Sequence, residues 1–77
     1  MDRSLTLLQL ASRYKNIPGP ITPEMTFQEM GMKEYEVLDF MLKVEETYGI
    51  ALDDSRLLSC RTIRDVEDAV NRCMTNA

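Results

Sequence analysis

Apolar residues recur along this chain at three- and four-residue spacing in three separate stretches, the signature of amphipathic helices rather than strands. The longest lies near the middle, in GMKEYEVLDFMLKVEETYGIAL, residues 31–52. It predicts a helix from Lys33 to about Tyr48, with Leu38, Met41, Val44 and Tyr48 on one face. Glu36, Asp39, Lys43 and Glu46 have the same spacing on another face. Before it, Leu5, Leu8 and Ala11 or Ser12 mark a first helix, with Leu7, Leu10 and Tyr14 widening the stripe and Ser4 as a possible cap. Arg13 and Lys15 are expected in its last turn, where cations suit the negative end of the helix dipole. After it, Ile63, Val66, Ala69, Val70 and Cys73 give the buried stripe of a last helix.

Punctuation between the stretches agrees with this division. Asn16-Ile17-Pro18-Gly19-Pro20 stops the first helix, because Pro18 disfavours helical geometry at Ile17 and cannot continue the hydrogen-bond ladder. The connection over 18–32 is too apolar to hang free: Ile21, Met25, Phe27, Met30 and Met32 all need cover. Within it, Thr26 to Met30 has room for one turn, and Gly31 is placed for a positive φ or a close approach. Gly49 is the natural residue just past the central helix. Asp53 or Asp54 is placed to cap a short helix over Ser55 to Ser59. Thr62 with Asp65 three residues on is a near capping box, and Met74 to Ala77 should fray. The expectation is an all-α four-helix bundle, three helices long and one short, as a single domain over residues 1–77. Its expected core includes Leu8, Phe27, Leu38, Met41, Val44, Tyr48, Leu52, Ile63, Val66 and Val70.

Composition narrows the function classes. A chain of 77 residues buries only roughly 60% of its unfolded surface, so a single modest core is expected. It holds no His and no Trp. Without His the commonest general base and metal ligand are gone, no nucleophile–base constellation is visible, and neither an enzyme nor a metal site is expected. Cys60 and Cys73 are too few for a disulfide scaffold and are read as free thiols of a reducing compartment, although one pair is open. No run reaches the length of a signal peptide core or of a membrane span, so the cytoplasm is the expected location.

Charge is unevenly spread. From Lys33 to Asp54 there are seven acids and two bases, a net of −5, against six acids and seven bases elsewhere; the whole chain carries −4. Such a balance speaks against nucleic acid and anionic membrane as partners, and for a basic protein surface met by a monomer. Two readings stand for the acids Glu36, Asp39, Glu45 and Glu46: a docking face, or a solvated helix surface. Leu42, among them, is either an exposed anchor or core. The six methionines are either soft core packing or the lining of a cavity.

The elements in this order resemble an acyl carrier protein over nearly the whole chain. Phe27-Gln28-Glu29-Met30-Gly31, Val44-Glu45-Glu46-Thr47-Tyr48-Gly49-Ile50 and Thr62-Ile63-Arg64-Asp65-Val66 carry the likeness. The resemblance implies a four-helix bundle, a phosphopantetheine arm bearing fatty-acid or polyketide intermediates, and docking on basic enzyme patches through acids of the second helix. It also exposes a departure. Two residues beyond the loop glycine the family has Asp-Ser-Leu, with the arm on the serine; here the residues are Lys33-Glu34-Tyr35. Glu34 takes the serine's position, and no serine lies between Ser12 and Ser55. Glutamate has no hydroxyl to carry a phosphodiester, so no phosphopantetheine is expected here. The dipole at the helix start favours an acid in any case, so Glu34 is either a plain first-turn acid or a phosphate mimic. The expected function is an acyl-carrier-like docking module for a synthase or similar enzyme. The alternatives are a working carrier and an unrelated small helical adaptor.

Overall fold

A computed structural model describes residues 3–75, without the side chains of Ser4 and Asp54, so the caps considered at those two positions lie outside the described residues. Four helices follow one another: α1 (Arg3–Ala11), α2 (Glu34–Tyr48), α3 (Asp54–Ser59) and α4 (Ile63–Thr75). No strand is present among the described residues, and α1 packs against both α2 and α4. Asn76 and Ala77, part of the end expected to fray, lie outside the described residues.

The capping residues explain where the helices begin and end. Thr62 and Asp65 form a reciprocal box at the start of α4: Asp65 N–H donates to Thr62 Oγ1 at 3.1 Å, and Thr62 N–H to Asp65 Oδ2 at 3.2 Å. A second box, Thr26 with Glu29, closes the turn inside the first connection. The two turns lie side by side. Thr26 and Thr62 form an isolated antiparallel bridge, Phe27 N–H donates to Arg61 C=O at 2.9 Å, and Arg64 N–H to Pro23 C=O at 3.0 Å. The long connection is therefore stitched to the start of α4 instead of hanging free. Asp53 caps α3 by accepting from Arg56 N–H at 2.9 Å. Gly49 ends α2 at φ 65°, where its lack of a Cβ makes the left-handed turn cheap.

One cluster fills the interior. Leu7 and Ala11 of α1, Phe40, Met41 and Val44 of α2, and Ile63, Val66, Ala69 and Val70 of α4 are buried, together with Leu52 and Cys60. The connection adds Ile21, Phe27, Met30 and Met32, so it forms a wall of the core. Phe40 lies at the centre, 0% exposed, and meets Phe27 and Tyr14 edge to face at centroid distances of 5.9 and 6.2 Å. Three of the six methionines, Met30, Met32 and Met41, are core packing.

Three expectations are corrected. Leu38 is not core: it is 51% exposed, and α2 buries Phe40, Met41 and Val44, about a third of a turn away, flanked by Val37 and by Tyr48, which is expected in the core and is only partly buried. Both sets satisfy helical spacing, and the aromatic ring decides between them, because Phe40 has the larger apolar surface to bury. On α1 the inward pair is Leu7 and Ala11; Leu8 is only partly buried and Leu5 is exposed. Arg13 and Lys15 do not lie in the last turn of α1, which ends at Ala11. Beyond it the ladder tightens, with Arg13 N–H donating to Leu10 C=O and both Tyr14 and Lys15 N–H to Ala11 C=O. That turn delivers Tyr14 to α2.

Candidate docking face on the second helix

The start of α2 is built from its neighbours rather than from its own cap. Lys33 holds the cap position with extended backbone, φ −83° and ψ 163°, and its side chain caps nothing. Glu36 reaches back instead: its Oε1 accepts from Lys33 N–H at 2.9 Å and from Asn16 Nδ2 at 3.0 Å. Asn16 also donates through Nδ2 to Gly31 C=O at 2.8 Å and through its backbone N–H to Met30 C=O at 2.9 Å. Gly31 adopts φ 75°, and a Cβ there would stand 3.1 Å from Asn16 Cβ. The tightness is thus explained by conformation and by space together. Met32 turns into the core and Glu34, the first helical residue, is exposed.

Along the side of α2 turned away from Phe40 lie Tyr35, Leu38 and Leu42, 67%, 51% and 57% exposed. They are spaced at three and four residues and so form a line. Asp39 and Glu46, also exposed, share that side, and Lys43 lies 3.6 Å from Glu46. The five residues expected to dock divide into two groups. Asp39, Leu42 and Glu46 are on the outward face. Glu36 and Glu45 are half-buried at its edges and already engaged, Glu36 at the helix start and Glu45 through Oε2, which accepts from Leu52 N–H at 2.7 Å. Those two acids hold the fold, whatever else they meet.

Sequence reasoning missed Tyr35, Leu38, Tyr14 and Asn16. Tyr35, Leu38 and Leu42 were readable as a second apolar line; Tyr14 and Asn16 reach α2 only through the turn after α1. The Tyr14 hydroxyl donates to Asp39 Oδ2 at 2.7 Å. That bond, with the nearby charge of Asp39, holds the phenol in its protonated form and raises its pKa above the usual 10.0.

Cys60 and Cys73 are both free; burial raises the Cys60 pKa, and Arg56 Nη1 donates to Cys73 Sγ at 3.2 Å. Among the described residues no cluster of three metal-ligating side chains is present, and no helix is long and apolar enough to cross a membrane.

The sequence matches the family described as the phosphopantetheine attachment site over residues 5–70. The mitochondrial acyl carrier protein of Dictyostelium discoideum is 31% identical over 58 residues, covering 70% of this chain and 48% of that protein, so the chain spans about half the length of the curated relative it matches. The acyl carrier protein of Thermotoga maritima has the same fold, with a TM-score of 0.78 at 22% identity over 94% of this chain and 86% of its own. A further likeness, with a TM-score of 0.73 at 24% identity over 88% of this chain and 97% of the other, is to a chain in a crystal structure of an engineered Bradyrhizobium japonicum glycine:[carrier protein] ligase complexed with carrier protein from Agrobacterium tumefaciens and AMP.

Proposed function

The chain belongs to the acyl carrier protein family, the family of the phosphopantetheine attachment site, and we propose that it keeps the family's docking role but has no arm. It meets a basic enzyme surface through the outward face of α2 and works as a monomer in the cytoplasm. The family consists of carriers and not catalysts, in keeping with a non-enzymatic role. Membership removes the reading of an unrelated adaptor.

The observation that carries the loss of the arm is Glu34. It is the first residue of α2, exposed, three residues beyond the positive-φ Gly31, at the position where the family's serine is expected. Attachment needs a hydroxyl there, and a carboxylate supplies none. Lys33 and Tyr35 beside it supply neither the serine nor the acid that precedes it in the family. The residues at this helix start therefore do not fit a phosphopantetheine arm. Support for docking comes from the exposed line of Tyr35, Leu38 and Leu42 beside Asp39 and Glu46, and from the ligase complex that contains a carrier protein. The partner class that fits is a synthase or ligase of fatty-acid, polyketide or similar assembly. Two free thiols suit a reducing compartment.

A working carrier is the second reading, favoured by the family match running across residue 34. Intact mass decides between the two. After incubation with coenzyme A and a promiscuous phosphopantetheinyl transferase, the protein is expected at its unmodified mass. A gain of one phosphopantetheine overturns the armless reading. Glu34→Ser alone is not expected to restore loading, because Lys33 still replaces the preceding acid.

A further inference from the structure

The carboxylates of α2 are held in different ways. Glu36 and Glu45 accept backbone N–H groups and belong to the helix ends. Among the described residues Glu46 meets only an exposed lysine of its own helix, 3.6 Å away. Asp39 alone, among the exposed acids of the outward face, is gripped by a side chain from another part of the chain, the Tyr14 hydroxyl at 2.7 Å. That donor is itself fixed, since the Tyr14 ring packs edge-on against Phe40, which is fully buried. The bond occupies Oδ2 and leaves the lone pairs of Oδ1 for a second donor.

We infer that Tyr14 is part of the docking surface, a positioning residue that holds Asp39 in place for a cationic side chain of the partner. The inference rests on the docking reading. It makes the surface two-part: the outward face of α2, and the turn that follows α1. The occupant it fits is a basic amphipathic segment, with arginine on Asp39 and apolar side chains on Tyr35, Leu38 and Leu42. Charge complementarity commits the surface to that occupant, since α2 with its cap residue, 33–48, holds five acids and two bases, a net of −3. An exposed aspartate otherwise samples several rotamers and loses that freedom on binding. Tyr14 takes up that loss at folding, so association is tighter without any new contact to the partner.

The test uses a labelled helical peptide of arginine and leucine at three- and four-residue spacing, titrated with the full chain by fluorescence anisotropy at low and physiological salt. Tyr14→Phe keeps the ring on Phe40 and removes only the hydroxyl. It is expected to weaken binding about three-fold, the order of one immobilised side chain. In an Asp39→Ala background the same change should have no effect, because Tyr14 acts through Asp39. An equal loss in both backgrounds, or a loss matched by a fall in thermal midpoint, means a merely structural tyrosine and overturns the inference. The docking reading is tested separately by Asp39→Lys with Glu46→Lys. If that double reversal leaves binding unchanged, or the wild type does not bind the peptide, docking fails and the Tyr14 inference with it. If the reversal weakens binding and Tyr14→Phe does not, only the Tyr14 inference fails.

Discussion

Helices α2 and α4 are the two longest elements and both wall the same core, yet they spend their apolar residues differently. In α4 the large aliphatic side chains Ile63, Val66 and Val70 are all buried, and the other positions are mostly polar. In α2 one apolar line, Val37, Phe40, Met41, Val44 and Tyr48, turns inward, and a second, Tyr35, Leu38 and Leu42, stays in water. Folding gives no reason for three large exposed side chains in a row on a helix of 15 residues. Scattered apolar residues on a surface are ordinary; a line of them along one helix, with acids beside it, is the feature that calls for a partner. A helix with one stripe serves the fold. The second line of α2 has a purpose only under the proposed docking role.

The strongest way to break this comparison is at its inner line. Phe40→Ala removes the ring at the centre of the core, against which Phe27 and Tyr14 both pack. The expected cost is about 3–5 kcal/mol, of the order of the whole stability of a small domain. Chemical denaturation should show a largely unfolded protein. A loss below about 1 kcal/mol would mean that the inner line is not what holds α2.

The same contrast explains what could be read from the chain. Helix α4 was legible almost residue by residue, because one stripe and a Thr62–Asp65 box leave one register to choose. The turn at Thr26 was foreseen only as a space for one turn, although its T-x-x-E pattern marks the same device; Thr62, whose bridge fixes it, lies 36 residues on, out of reach of local pattern. Helix α2 was legible in its bounds but not in its register. Two apolar lines on one helix satisfy the same spacing, and only the tertiary demand of Phe40 chooses between them. The candidate site was half visible for a related reason. Asp39, Leu42 and Glu46 follow from period alone, while the commitments of Glu36 and Glu45 to backbone N–H groups, and the arrival of Tyr14 and Asn16 from another segment, depend on how the chain returns.

A smaller effect separates the acids. Glu45→Ala leaves the Leu52 N–H without its acceptor at a partly buried site, and should cost about 1–3 kcal/mol. Glu46→Ala removes an exposed pair with Lys43 and should change stability by no more than about 0.5 kcal/mol. Equal urea midpoints for the two variants would show that neighbouring glutamates of α2 are not divided between fold and surface.

The smallest expected effect on stability is the one that sharpens the comparison most. Leu38 and Leu42 are each more than half exposed, so truncating them gives back little buried area. Alanine is also the better helix former, which offsets part of what is lost. The double variant Leu38→Ala with Leu42→Ala should therefore unfold within about 0.5 kcal/mol of the wild type. Val66→Ala on α4, a single truncation at a fully buried site, should cost more than both together. Binding should rank the variants the other way. Apolar anchors at the centre of an interface commonly cost more than 1 kcal/mol when truncated, so the leucine pair should weaken the arginine–leucine peptide about ten-fold or more, while folded Val66→Ala protein binds as the wild type does. Denaturation midpoints and anisotropy on the same samples make both comparisons. Should the leucine pair lower stability and leave binding untouched, the outer line of α2 belongs to the fold after all, and the two helices differ in degree rather than in purpose.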